Sequence, residues 1–243
     1  DALNRAKAKS NLVVAVSREL RSPLDSIRGY ANLLMSYDAS ERASAISWIT
    51  QIREQSARLA RLAKELEDLC SSDCERVEIR TELVNLSDLL AEVTAELEQA
   101  MQRKQVTFDV QYPPNLPELP LDRDRIHDVL LNLLENALQR AVPGGHMTLR
   151  IEANLEELAF TLSDDGQPIP ADVRARVFQG PYRPNGASPY DPSGTGLALY
   201  LSRKIVEAHG GHLWMPEAEG PGTKVQFLIP LDRIPSMRAS RRA

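Results

Sequence analysis

The sequence predicts an α+β protein in two parts, a helical hairpin over residues 1–72 and a mixed helix-and-strand domain over residues 73–243. In the first part, apolar residues recur every three or four positions, as they do along one face of a helix. The polar stretch Ser71 to Glu78 interrupts this repeat, and beyond it helical periods alternate with strand-like patterns. We therefore expect two units with separate hydrophobic cores.

The hairpin is predicted to form half of a dimeric four-helix bundle. A first helix, over about residues 2–37, has one apolar stripe whose members lie seven residues apart: Val13, Leu20, Ile27 and Leu34. A polar turn at residues 36–40 leads into a second helix, where apolar residues step by three and four from Ala45 to Leu69. Further apolar residues flank these stripes: Leu12, Leu33, Ile46 and Ile49. Two helices alone cannot cover this surface, so we expect two hairpins to pair in a homodimer.

The second part carries signals for three longer helices and several strands. Ser87 is a candidate N-cap for a helix over residues 86–102, and Pro143-Gly144-Gly145 ends a second helix over residues 124–142. The third helix, over residues 195–209, ends at Gly210-Gly211. Strands are predicted over five segments, with a hairpin turn at residues 154–157: 106–110, 147–153, 158–163, 212–215 and 224–231.

Two irregular stretches remain in the second part. A Pro-rich loop covers residues 113–120, and a longer stretch rich in Pro and Gly covers residues 164–194, with one short helical piece at residues 172–178. Long irregular stretches inside a compact domain are usually functional. We therefore expect the longer stretch to belong to a binding site.

Composition argues against some classes of function. The chain is 42% apolar and has a net charge of −5, which argues against a general nucleic-acid-binding surface. Cys70 and Cys74 have no histidine nearby and make a poor metal site. No stretch has the length and apolarity of a membrane span, and no signal-peptide pattern is present. Because a helical pattern is already under way in the first ten residues, we expect a piece of a longer protein.

Three groups of residues interrupt the apolar patterns of the second part. Asn132 and Asn136 lie on one helical face, so they either hydrogen-bond within the fold or bind a polar ligand. Asp164-Asp165-Gly166 follows a predicted strand, where it forms either a turn or a carboxylate site for an amine. Gly194-Thr195-Gly196 opens a helix, whose N–H groups and dipole suit a phosphate. Their order along the chain is more specific than any one of them.

This order resembles that of the motifs in two-component sensor histidine kinases, and the resemblance to the transmitter region of that family covers nearly the whole chain. Ser17 to Leu24 resembles the phosphoacceptor segment, except that Arg18 replaces the histidine and Ser22 replaces a threonine. The family's nucleotide-binding motifs are matched by six further segments: Asn132 to Ala137, Asp164 to Pro170, Val177 to Arg183, Gly194 to Leu199, Ile205 to Gly211 and Gly220 to Thr223.

The resemblance implies a helical dimerisation domain followed by an α/β sandwich of the Bergerat type, the ATP-binding fold shared with gyrase and Hsp90. It implies ATP or ADP and Mg²⁺ as ligands, with Asn136 holding Mg²⁺ beside Asn132, and Asp164 accepting from the adenine amine. Gly194 and Gly196 would bring the lid backbone to the phosphates, and Arg183 would reach the transferring phosphoryl group. The expected nucleotide-binding residues are Asn132, Asn136, Arg140, Asp164, Gly166, Arg183, Gly194, Thr195, Gly196, Leu197 and Thr223.

Three positions of the nucleotide motifs depart from the family's pattern. Pro168 replaces a glycine and removes a backbone donor. Ala198 also replaces a glycine and adds a methyl group where a helix packs closely. Gln139 stands where the family has a lysine, and the neighbouring Arg140 is a candidate source of the missing charge. We therefore expect weaker or altered nucleotide binding.

The largest departure is Arg18, which takes the place of the histidine that attacks the γ-phosphate of ATP in the family. Arginine stays protonated at biological pH, so none of its nitrogens has a lone pair available for that attack. We therefore expect no autophosphorylation at this position. Glu19 and Ser22 keep the spacing of the family's phosphatase pattern, which leaves a weak dephosphorylation of a response regulator open.

Three hypotheses follow for the function of the chain. The first is a degenerate histidine kinase that binds nucleotide and acts as a dimeric signalling scaffold, with or without phosphatase activity. The second is an active kinase whose acceptor histidine was replaced by an engineered substitution. The third is an interaction module that binds a response regulator or a partner histidine kinase without using ATP. We expect a cytoplasmic location, no nucleic-acid partner, and membrane contact only through segments absent from this chain.

Overall fold

A computed structural model describes residues 20–36, 42–71, 79–114, 116, 118–154, 156–174, 177–178, 197–217, 220 and 222–231. The predicted α+β class is confirmed, with a helical region followed by a sheet covered by helices. Residues 72–78, where the domain boundary is predicted, lie outside the described residues. The same holds for several predicted site residues: Arg18, Glu19, Arg183, Gly194, Thr195 and Gly196.

The described part of the helical region contains two helices, α1 over residues 20–35 and α2 over Arg42–Ser71. The members of the predicted stripe that the structure describes, Leu20, Ile27 and Leu34, are half-buried. The flanking residues Ile46 and Ile49 are 61% and 56% exposed. Helices α1 and α2 therefore expose apolar residues of the surface that the sequence assigns to contact with a second hairpin. None of the helices in the described parts of the chain is long and apolar enough to cross a bilayer.

Among its described residues, the second region contains two sheets and four helices. Its elements in chain order are β1 (Glu82–Val84), α3 (Leu86–Lys104), β2 (Thr107–Gln111), β3 (Leu119–Leu121), α4 (Arg123–Arg140), β4 (His146–Ala153), β5 (Glu157–Asp164), α5 (Ala171–Arg174), α6 (Leu197–Ala208), β6 (His212–Trp214) and β7 (Thr223–Pro230). The main sheet has the strand order β2-β4-β5-β7-β6, and β1 pairs with β3 in a separate two-stranded sheet. Strands β2 and β4 are parallel, and the other pairs of the main sheet are antiparallel.

The core of this region lies between the main sheet and the helices α3, α4 and α6. Along β5 and β7, every second residue is buried, as expected for strands with one face against a hydrophobic layer. The centre of this layer is a stacked pair, Phe160 and Phe227, whose ring centroids are 4.2 Å apart. The buried rows of β5 and β7 end in polar residues, Asp164 and Thr223, which are direct partners in the strand register. A polar site therefore lies at the end of the core.

Three local predictions need correction. The N-cap of α3 is Asn85, whose side-chain oxygen accepts from the backbone N–H of Ser87 and Asp88, so Ser87 is not the cap. The loop predicted over residues 113–120 contains the beginning of β3, which continues to Leu121 and pairs with the unpredicted β1. Within the piece predicted as helical at residues 172–178, helix α5 ends at Arg174.

Candidate functional site

Three polar side chains of α4 lie four residues apart, so they share one face of the helix: Asn132, Asn136 and Arg140. The helix begins after Asp122, whose carboxylate accepts from the N–H of Arg125 and also from the N–H of Arg80. Its other faces carry apolar residues that are buried against β5, α3 and α6. The buried apolar residues of α4 therefore fix the position of this polar row in the domain.

The amide of Asn136 is oriented by its own helix. Its Nδ2 donates to the carbonyl oxygen of Asn132 at 2.8 Å. That bond uses the donor end of the amide, so its oxygen is the end available for another partner. An amide oxygen is a suitable ligand for Mg²⁺, so the arrangement fits the expected role of Asn136. The Asn132 side chain is buried one turn away.

Asp164 is a buried carboxylate at the end of β5. It follows Leu158, Phe160 and Leu162 on the inner face of the strand, so the alternation of β5 directs it toward the core. Its Oδ1 accepts from the backbone N–H of Gly166 at 3.0 Å. This bond joins two of the predicted site residues in one turn. A buried carboxylate is a suitable acceptor for an amine.

Two glycines make room for the chain around Asp164. A Cβ atom on Gly166 would lie 2.5 Å from the carbonyl oxygen of Arg140. Gly222 has a φ of +98°, and a Cβ atom there would lie 1.7 Å from the carbonyl oxygen of Asp164. The next residue, Thr223, begins β7, and its hydroxyl donates to the carbonyl oxygen of Gln167 at 3.5 Å. Predicted residues from three segments thus meet at the end of β5: Arg140, Asp164, Gly166 and Thr223.

Arg140 binds Asp164, a contact that the sequence analysis did not predict. The Nη2 atom of Arg140 lies 2.5 Å from Oδ2 of Asp164, and the two side chains are 7% and 1% exposed. The charge of Arg140 is thus placed against the carboxylate expected to read the base. The four-residue spacing from Asn136 signals that Arg140 shares the face of the asparagines, but the spacing alone does not identify its partner.

The end of α4 is held by Lys104 from the last turn of α3. Its Nζ donates to the carbonyl oxygens of Leu138 and Gln139, each at 2.7 Å. Such a cation satisfies carbonyl groups that have no partner within the helix. Burial lowers the pKa of Lys104, and the nearby charge of Asp165 works in the opposite direction. Lys104 therefore fixes the backbone immediately before Arg140.

A second unpredicted contact joins the end of α6 to the start of α4. The buried His209 bonds through Nδ1 to the carbonyl oxygen of Ile205 at 2.8 Å, and its Nε2 accepts from the N–H of Asp122 at 3.1 Å. Burial lowers the pKa of His209, although the bond to Ile205 and the charge of Asp122 oppose this effect. The ring is therefore neutral, with its proton on Nδ1.

The remaining predicted site residues are described only in part. Leu197 is the first residue of α6, and Ala198 follows it in a half-buried position. Pro168 is exposed, two residues after Gly166. Ser22 lies on α1 and is exposed, whereas its predicted companions Arg18 and Glu19 are outside the described residues. The expected functions of these residues remain predictions.

The comparisons with known families match this part of the chain. Residues 121–233 match the family described as histidine kinase-, DNA gyrase B- and HSP90-like ATPase. The matched segment begins at the last residue of β3 and ends after β7, so it contains α4, the end of β5 and Thr223.

Curated relatives match nearly the whole chain. The sensor histidine kinase WalK of Bacillus subtilis is 30% identical over 228 residues, which is 91% of this chain and 36% of WalK. The adaptive-response sensory kinase SasA of Synechococcus elongatus is 28% identical over 241 residues, which is 96% of this chain and 62% of SasA. The chain thus spans little more than a third of the length of WalK.

Solved structures of histidine kinases are similar to this chain in fold. The nucleotide-free catalytic domain of the histidine kinase ThkA is 28% identical, with a TM-score of 0.55 over 63% of this chain and 97% of that domain. ThkA in complex with the response regulator TrrA is 22% identical, with a TM-score of 0.62 over 94% of this chain and 63% of the ThkA chain. At that identity, the second likeness concerns the fold alone.

Proposed function

We infer that this chain is the transmitter region of a two-component sensor histidine kinase, with a histidine kinase-, DNA gyrase B- and HSP90-like ATPase domain over residues 121–233. The proposed chain binds ATP or ADP with Mg²⁺ and does not autophosphorylate at Arg18. In this proposal the bound nucleotide controls the conformation of a dimeric signalling protein. The observation that carries it is the buried carboxylate of Asp164, which lies at the end of the core and is bonded to Gly166.

The described residues fit the groups of a magnesium nucleotide. The oxygen of the Asn136 amide is suited to Mg²⁺, which prefers hard oxygen ligands, because the amide nitrogen already donates to Asn132. Asp164 is suited to accept from the amine of adenine, and Gly166 and Gly222 let the chain pass close to it. Bound Mg²⁺ would neutralise charge on the phosphates. Arg183 and the segment Gly194 to Leu197 complete the proposed phosphate site, by resemblance.

Arg18 decides which reactions remain in this proposal. A guanidinium group cannot supply the lone pair that attacks a phosphorus atom, so the chain would bind nucleotide without forming a phosphorylated residue at this position. Glu19 and Ser22 would support a weak dephosphorylation of a response regulator, since neither role requires a histidine. The exposed position of Ser22 on α1 is compatible with contact to such a partner.

Dimerisation is the third part of the proposal. The exposed apolar residues of α1 and α2 match the surface that the sequence assigns to a second hairpin, and Ile46 and Ile49 are examples. Two copies would thereby form a four-helix bundle that presents Ser22 to a response regulator or a partner kinase. Sedimentation of the whole chain at high concentration tests this part, and a monomer there would contradict it.

Calorimetric titration with Mg²⁺ and ADP tests the central part of the proposal. We expect binding by the chain as it stands, weaker binding by Asp164→Asn, and no change in Asp88→Asn, which alters an exposed carboxylate in the first turn of α3. An absence of nucleotide binding would instead favour an interaction module that does not use ATP.

Labelled ATP tests the role of Arg18 separately. We expect no label on the chain as it stands and stable label on Arg18→His, because histidine restores a nucleophilic nitrogen. Label on the unchanged chain would contradict the proposal. An unlabelled Arg18→His variant that still binds ADP would show that the departures at Pro168, Ala198 and Gln139 have also removed catalysis.

A further inference from the structure

The ion pair between Arg140 and Asp164 occupies the oxygen at which a base amine would bind. Oδ2 of Asp164 is bonded to Nη2 of Arg140 at 2.5 Å, and Oδ1 is bonded to the N–H of Gly166 at 3.0 Å. Each oxygen of this carboxylate therefore already has a donor from the chain. The pair is also dry, because the side chains are 7% and 1% exposed. A charged pair in such surroundings is screened little by solvent.

The guanidinium group of Arg140 also carries a donor, Nε, that its bond to Asp164 does not use. Its Nε is buried and has no hydrogen-bond partner among the described residues. Buried polar groups are normally paired, so an unpaired donor in a proposed binding site points to a ligand that is bound at other times, or to a second position of the side chain. This donor lies beside the carboxylate that the proposed function assigns to the base.

The backbone of Arg140 is held from two sides. Lys104 binds the carbonyl oxygens of Leu138 and Gln139, the two residues immediately before it. Gly166 lies so close to the carbonyl oxygen of Arg140 that no side chain fits between them. The ends of α4 and β5 therefore hold the backbone of Arg140 within reach of Asp164, while its side chain can still exchange the carboxylate for another partner.

We propose that Arg140 competes with the nucleobase for Asp164 and thereby sets both the affinity for nucleotide and the preference among bases. This inference rests on the proposed function, in which Asp164 reads the base. An amine on the base must displace the guanidinium group before it can donate to Oδ2. A base with a carbonyl oxygen at the same position has no hydrogen to donate there, but it can accept from Arg140 without breaking the ion pair. The chain should therefore bind ADP weakly and show little preference for ADP over IDP, in which a carbonyl replaces the amine.

Equilibrium titration of the whole chain with ADP and with IDP, in the presence of Mg²⁺, tests the inference. Arg140→Gln removes the charge, so we expect it to bind ADP about tenfold more tightly or better, with a much smaller change for IDP. Arg140→Lys keeps a positive charge and should retain weak ADP binding. Arg150→Gln is the control, because Arg150 is exposed on β4 and pairs with Glu152. In an Asp164→Asn background, the gain from Arg140→Gln should disappear.

The outcomes separate this inference from the proposed function. If the unchanged chain binds ADP and Arg140→Gln binds it no more tightly, or gains equally for ADP and IDP, the inference is wrong and the proposed function stands. If neither protein binds either nucleotide, the proposed function fails and the inference with it. Should Arg140→Gln fail to unfold cooperatively, the unchanged chain still provides a test. A strong preference of that chain for ADP over IDP would contradict the proposed competition between Arg140 and the base.

Discussion

The two regions of this chain differ in how far they complete their own cores. In the sheet region, apolar residues from three helices and the main sheet bury one another within one chain, and Phe160 is 1% exposed. In the helical region, α1 and α2 leave large apolar side chains such as Ile46 and Ile49 in contact with solvent. The stability of the first is therefore a property of the single chain, whereas that of the second should depend on protein concentration.

The chain offers a way to observe each region separately. It has two tryptophans, Trp48 in α2 and Trp214 in β6. Replacing one of them by Phe leaves a fluorescent probe in the other region. The following comparisons use these single-tryptophan backgrounds and denaturant unfolding at two or more protein concentrations.

The largest contrast should come from truncating one apolar side chain in each region. Phe160→Ala removes a buried ring that stacks on Phe227 and should lower the free energy of unfolding seen by Trp214 by about 3–5 kcal/mol. Ile49→Ala should change the unfolding of the isolated hairpin by about 0.5 kcal/mol or less but weaken dimerisation, which sedimentation measures. Equal dimerisation before and after Ile49→Ala would contradict the assignment of this surface to a second hairpin.

Glycine-to-alanine substitutions should change the stability of the two regions in opposite directions. Gly222→Ala places a methyl group against the carbonyl oxygen of Asp164 at a φ of +98°, so we expect a loss of about 2–4 kcal/mol at Trp214. Gly29→Ala lies within α1, where a Cβ atom would meet nothing within 4 Å. Alanine favours helix over glycine there by up to about 1 kcal/mol, so the hairpin should become more stable. A stable Gly222→Ala protein would contradict the close approach of β5 and β7.

Acid should destabilise the sheet region through His209. Because burial lowers its pKa in the folded state, the unfolded chain takes up this proton first as the pH falls from about 6.5, the usual value for histidine. Stability should thus fall with pH between that value and the folded pKa, and level off below it. The change should appear at Trp214 and vanish in His209→Gln, whereas the sequence of the hairpin contains no histidine. His146→Gln, in an exposed position at the start of β4, is the matched control.

The smallest effect should come from the salt bridge between the two regions. Arg103 of α3 lies 3.4 Å from Glu54 of α2, and both side chains are substantially exposed. Pairs of this kind are worth about 0–1 kcal/mol, so Arg103→Ala should hardly change the unfolding seen by either tryptophan. A large loss of stability at both tryptophans would show that the regions unfold as one unit and would contradict the difference between them.

Elements that depend on local sequence patterns were predicted, whereas elements that depend on contacts between distant residues were not. The long helices and the β4–β5 hairpin were predictable because their apolar periods extend over many residues, and the hairpin turn carries Asn154, whose side chain accepts from two N–H groups. Strands β1 and β3 have three residues each, and β3 contains Pro120. A segment of three residues is too short to show a periodic pattern of apolar residues. Only the tertiary pairing makes these residues strands.

In the candidate site, too, residues in local motifs were predicted, whereas contacts between distant residues were not. Asn132, Asn136, Asp164 and Gly166 are predicted as a set because each belongs to a motif with a fixed local spacing, and the structure shows a hydrogen bond within each of the two pairs. The bonds of Arg140 to Asp164 and of His209 to Asp122 join residues 24 and 87 positions apart. Such contacts depend on how helices pack against the sheet, and no spacing in the sequence specifies them.

The register of β5 and β7 has a consequence for how this protein can vary. Asp164 and Thr223 are neighbours across the sheet, so the whole excursion over residues 165–222 leaves and returns at one point. The entropy of closing such a loop grows only slowly with its length. The excursion also contains α6, which packs against α4, and β6, which pairs with β7. Insertions or deletions between α5 and α6 should therefore leave the pairing of β5 and β6 with β7 intact, whereas changes within α6 or β6 should disturb the core and the sheet.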